Sequence, residues 1–65
     1  MKTSLSDRMI LFRAKNRITQ AELADLCGLS KMTICGIETG AQNPLPKTRL
    51  QIEMVVGGED KYDSQ

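Results

Sequence analysis

The stretch from Thr19 to Gly40 constrains this chain most, because it holds two short helical segments separated only by Cys27-Gly28-Leu29-Ser30. Thr19 and Glu22 have the T-x-x-E spacing of a capping box, in which each side chain bonds the other residue's backbone N–H at a helix start. Leu23, Ala24, Leu26 and Cys27 are expected to form the inner face of the helix that follows. Gly28 stands where a helix needs a left-handed C-terminal residue, a conformation glycine adopts without steric penalty. Ser30 predicts a second N-cap, Ile34 and Ile37 face inward, and Gly40 stops this helix as Gly28 stopped the one before. A turn this tight makes the helices cross steeply. Leu23, Ala24, Leu29, Ile34 and Ile37 then meet under the crossing, where a side chain larger than Ala24 would push the helices apart.

The flanks complete an all-α reading, with no convincing strand. Ser4 and Asp7 have capping-box spacing, with Asp in place of the usual Glu, and predict a first helix from about Ser4 to Lys15. Leu5, Met9 and Phe12 recur at helical spacing and form its buried stripe; Ile10 and Leu11 fall partly off it. Asn43, Pro44 and Pro46 mark a loop, and a fourth helix is expected from about Pro46, since proline is tolerated in a first turn. Leu50, Ile52, Val55 and Val56 are its apolar residues. The expected organisation is a single domain over residues 1–56 and a polar, frayed tail over 57–65.

Composition excludes several function classes. The chain has no histidine and only two cysteines, Cys27 and Cys35, which are too few soft ligands for a zinc site. Ser30, Cys35 and Glu38 form no credible catalytic set without a base, and 65 residues leave little room for a formed pocket, so an enzyme is not expected. No cofactor or small-molecule ligand is expected either. Aromatic content of 3% argues against a single-strand binder that stacks bases on rings. There is no membrane-length apolar run and no signal-peptide pattern, and unpaired thiols suit a reducing cytoplasm. Net charge is only +1 but unevenly spread: Lys2, Arg8, Arg13, Lys15 and Arg17 face Asp7 alone in the first 17 residues, whereas the last nine set Lys61 against Glu59, Asp60 and Asp63. A basic N-terminal third suits a polyanion, and it equally suits a solvated helix face.

Two short helices joined by a glycine-containing turn form a helix-turn-helix, which leaves the outer face of the second helix free for a major groove. That face carries Lys31, Met32, Thr33, Cys35, Gly36 and Thr39, with one charge and several small side chains, unlike the Glu/Lys/Gln-rich surface of a solvated helix. Lys31 could donate to guanine O6 or N7, and Met32 could touch a thymine methyl. Thr39 and the backbone N–H groups near Asn43 are better placed for phosphates. Cys35 reads as a small residue tolerated on that face, with only Lys31 nearby to lower its pKa.

The stretch ITQAELADLCGLSKMTICGIETGAQNP resembles the phage repressor/Cro-like helix-turn-helix family, also called the xenobiotic-response-element family. Thr19-Gln20, Glu22-Leu23-Ala24, Gly28-Leu29-Ser30, Thr33-Ile34, Ile37-Glu38, Gly40 and Pro44 carry the likeness, which with Phe12-Arg13 and Ile52 extends over about residues 5–56. The resemblance implies a lambda-repressor-like bundle of four or five helices that binds operator DNA, usually as a homodimer. It implies base contacts from Lys31, Met32, Thr33, Cys35 and Gly36, and phosphate contacts from Gln20, Thr39 and Asn43. It also implies an Arg13–Glu38 salt bridge between the first and third helices. Arg17 stands where the family often has glycine, so that corner is expected to be built differently. Arg49 and Glu53 replace the usual Leu and Ala of the fourth helix and leave its inner face open. The expected function is a small transcriptional regulator, a repressor above an activator, dimerising through the fourth helix with Met54 and Ile10. The alternative is a protein-interaction module or antitoxin-type partner on the same fold.

Overall fold

The computed structural model describes residues 4–57, and among these the chain forms four helices. They are α1 (Leu5–Asn16), α2 (Gln20–Cys27), α3 (Lys31–Thr39) and α4 (Pro46–Val56). The polar tail expected from residue 57 lies outside the described residues from position 58 onward.

Short polar side chains start the first three helices. Ser4 accepts the Asp7 N–H, Thr19 the Glu22 N–H and Ser30 the Thr33 N–H, each satisfying one donor that the helix leaves unpaired. At Thr19 the box is reciprocal, with the Thr19 N–H donating to Glu22 Oε1 at 2.8 Å. At Ser4 it is half-built, since Asp7 makes no return bond among the described residues; its side chain is one methylene shorter than glutamate. Leu45 precedes α4 without a side-chain cap, and Pro46 fixes the first turn instead.

The ends of α1, α2 and α3 share one device. The second residue past each helix donates its N–H back five positions: Ile18 to Arg13 at 3.1 Å, Leu29 to Ala24 at 2.9 Å, Ala41 to Gly36 at 2.8 Å. That bond needs a left-handed residue just before its donor. Gly28 supplies it at φ 72°, and Arg17 supplies it at φ 55°, ψ 48°. The α1 corner therefore keeps the geometry that glycine would give it, contrary to the expectation of a different construction. Its Cβ bears a steric cost of about 1–2 kcal/mol. Arg17→Gly relieves that cost and gives back part of it through the freer unfolded chain. The expected net is up to about 1 kcal/mol of added stability, read as a higher midpoint in urea. A lower midpoint would show that the Arg17 side chain contributes more than its backbone costs.

The core gathers where the helices meet. Met9, Leu23, Ile34 and Ile52 are fully buried, with Leu5, Ala24, Cys27 and Ile37 beside them, and Phe12, Ile18, Leu29, Val55 and Val56 close its edge. Each large aliphatic side chain buried in this way stabilises the fold by about 1.5–3 kcal/mol. α2 packs chiefly on α3, and α4 closes the bundle against α1 and α2. Gln51 of α4 donates to the Cys27 carbonyl at 3.3 Å, satisfying an acceptor at the end of α2.

Two apolar residues lie elsewhere than their chemistry suggests. Leu26 is 57% exposed and takes no part in the inner face of α2 expected to include it. In an eight-residue helix centred inward on Leu23, Ala24 and Cys27, position 26 points about a quarter turn away. Leu50 is likewise 57% exposed, and Ile52 forms the centre of the buried side of α4. The open question of that inner face is answered by charge. Glu53 lies between Arg49, at 3.0 Å, and Arg8, at 3.6 Å, and Arg8 also donates from Nε to the Gly57 carbonyl at 3.3 Å. Arg8 is only 6% exposed. No helix among the described residues is long and apolar enough to cross a membrane.

Candidate nucleic-acid interface

The outer face of α3 is set by the rest of the fold. Ile34 and Ile37 anchor the helix, and the residues between them turn away from the core. Met32 is 80% exposed, Lys31 is exposed, and Cys35 is half-buried. A large apolar side chain held so far out of the core has no packing role in the monomer. Lys31 is the one charge on this face.

The remaining residues expected on this face are partly committed to the protein. Thr33 is half-buried, and its hydroxyl shares a 2.9 Å hydrogen bond with Ser30 Oγ, so it completes the start of α3. Thr39 is exposed, and its hydroxyl donates to the Gly36 carbonyl at 3.2 Å; reaching a phosphate requires it to turn. Asn43 is exposed in the loop before α4. Gly36 is half-buried because the Gln42 side chain lies against it, occupying the space that a Cβ would need. Residue-type reasoning did not single out Gln42. The signal available in the sequence was a glycine inside a helix, followed after a short turn by a long polar side chain.

Behind this face a polar cluster joins three helices. Arg13 of α1 donates from Nε and Nη2 to the two carboxylate oxygens of Glu38, each at 2.8 Å. Gln20, the first residue of α2, donates to Glu38 Oε1 at 3.0 Å. The Glu38 side chain is only 3% exposed, against 23% for Arg13. Burial alone would push the Glu38 carboxyl up; the bonds from Arg13 and Gln20 together with the Arg13 charge outweigh it and hold the group below its ordinary value. Glu38 is the eighth residue of α3, so this fork fixes the C-terminal half of the helix against α1 and α2. Ser30 and the crossing residues fix its other end.

The two thiols differ. Burial pushes the Cys27 thiol up, which keeps it protonated in the core, whereas Cys35 lies on the outer face. Both are free, and among the described residues there is no group of His, Cys, Asp and Glu side chains able to hold a metal ion.

A capped helix, a Gly28 turn and a second helix pinned from behind define a helix-turn-helix protein whose second helix has an exposed outer face. The chain matches the helix-turn-helix family over residues 10–57, which is more than half its length. It belongs to this family of Cro/C1-type helix-turn-helix domains, whose members are DNA-binding transcription regulators. Comparison with curated proteins and with solved structures gave no match.

Proposed function

We propose that this chain is a sequence-specific binder of double-stranded DNA that acts as a small repressor, with α3 in the major groove. One observation carries the reading: α3 is locked from behind by the Arg13–Glu38–Gln20 cluster, yet presents Lys31 and Met32 outward. A surface that must match base edges needs such rigidity.

In this reading Lys31 donates to a guanine edge and Met32 packs on a thymine methyl. Cys35 lets the helix lie close to the bases, with Thr33 at the margin and Gly36 meeting them through the Gln42 side chain that lies against it. Gln20, Thr39 and the backbone near Asn43 contact phosphates and fix the register. One monomer reads too little sequence to find an operator, and a symmetric dimer doubles it. Leu50 and Met54, one turn apart on α4 and 57% and 78% exposed, supply apolar surface that a second copy would cover, and the exposed Ile10 of α1 adds to it in this reading. In this reading occupancy of the operator is itself the repressing act.

Selection of bound sites from random duplex DNA tests the reading. The expected outcome is a palindromic site whose half-sites are centred about 34 Å apart, one helical turn. Enrichment of single half-sites would remove the dimer. Enrichment of nothing at low salt would leave the interaction module as the function of the fold.

A further inference from the structure

A glycine inside a helix is unfavourable relative to alanine, so Gly36, in the middle of α3, calls for a reason. The reason in this structure is Gln42. A Cβ built on Gly36 would overlap Nε2, Cδ and Cγ of the Gln42 side chain. The backbone of the turn brings that side chain there: the N–H groups of Ala41 and Gln42 both donate to the Gly36 carbonyl, at 2.8 and 3.1 Å. The chain thus turns back over the recognition helix directly after leaving it. Gly36 is one helical turn beyond Met32, which is 80% exposed, so the carboxamide of Gln42 is delivered beside the face proposed to meet DNA. Gln42 is exposed, and among the described residues its carboxamide has no hydrogen-bond partner. A donor and an acceptor thus lie side by side, with nothing among the described residues to satisfy them.

We propose that Gln42 reads a base edge, standing in for the side chain that α3 lacks at position 36. A carboxamide matches adenine, donating to N7 and accepting from N6–H, so the base it takes is an adenine in each half-site. Gly36 acts in this as a positioning residue. It leaves the space through which a loop residue reaches the groove, and so adds a polar reader to a helix whose own outward face has Lys31 as its one charge. The proposal rests on the DNA reading above.

The test compares sites selected from random duplex DNA by the natural chain, by Gln42→Ala and by Gly36→Ala. With Gln42→Ala, one position per half-site is expected to lose its adenine preference by about 5- to 150-fold. The other positions, the thermal midpoint and the salt dependence stay as they were. Gly36→Ala is expected to lose the same preference, because its methyl group displaces Gln42, while melting at an equal or higher temperature. Loss of specificity alongside retained or increased stability separates a reader's support from a mere packing contact. Identical selected sites for all three chains would overturn the proposal, as would a uniform loss of affinity with no position changed, which would make Gln42 a phosphate contact. Failure of the natural chain to select any sequence would instead overturn the DNA reading, and this proposal with it.

Discussion

Replacing Arg13 with methionine is expected to destabilise the domain by about 3–5 kcal/mol, because it strands the Glu38 carboxylate in the interior with the Gln20 amide as its one remaining side-chain donor. A domain of this length has a total stability of roughly 3–10 kcal/mol, so the midpoint should fall by tens of degrees or the chain should unfold. Glu38→Gln is the milder change. It leaves Arg13, whose side chain is 23% exposed and can turn to water, and it keeps an acceptor opposite the guanidinium. The order of the two variants is therefore the test, and a larger loss for Glu38→Gln would mean that the carboxylate is not the group that burial punishes.

The same pair sets a pH signature. In the natural chain the folded Glu38 carboxyl titrates below its ordinary value of 4.5. Its contribution is complete above that value and is lost as pH falls through the folded one. In Arg13→Met the sign reverses: burial is then opposed by Gln20 alone, the carboxyl titrates above its unfolded value, and acidification relieves it. That variant is expected to gain stability between pH 7 and pH 5, where the natural chain gains none from this group. Thermal melts at the two pH values measure it.

The sequence carried the elements well because their limits are local. Thr19, Ser30 and Gly28 each act on backbone groups within five residues, so spacing alone locates them. Arg17 shows where this logic stops. Its left-handed backbone is imposed by Ile18 packing at the core edge and donating to the Arg13 carbonyl, and a residue unsuited to that conformation adopts it nonetheless. Arg8 and Glu53 were legible in part. Arg8 falls within the stripe Leu5–Met9–Phe12, and Glu53 adjoins Ile52; a charge on each of two apolar faces implies that the two meet. Leu26 misleads for the opposite reason, since an apolar side chain in a short helix can belong to neither face. Gln42 was hidden because its position depends on how a loop returns over α3, which no periodicity encodes.

The DNA affinity of the proposed dimer should fall about 10²- to 10³-fold between 50 and 200 mM salt. The slope is set by the cations that can meet phosphates. Arg13 is held by Glu38, and Arg8 and Arg49 share Glu53, so all three side chains are engaged within the protein, although two carboxylates answer only two of the three charges. Among the described residues Lys15, Arg17, Lys31 and Lys47 stand outside these pairs. Lys31 is aimed at a base edge in this reading, so if the other three reached phosphates in both copies the log–log slope with salt would be about −5; without Lys15 it would be about −4. Gln20, Thr39 and Asn43 are neutral and release no counterions. Gln20→Ala should therefore weaken binding by a similar factor at every salt concentration, whereas Lys47→Ala should flatten the slope by about 1 per copy. This separates two kinds of contact that a single affinity measurement merges. Retention of DNA with a slope near zero would exclude phosphate contacts by these cations, and no retention even at 50 mM would assign the exposed face of α3 to a protein partner.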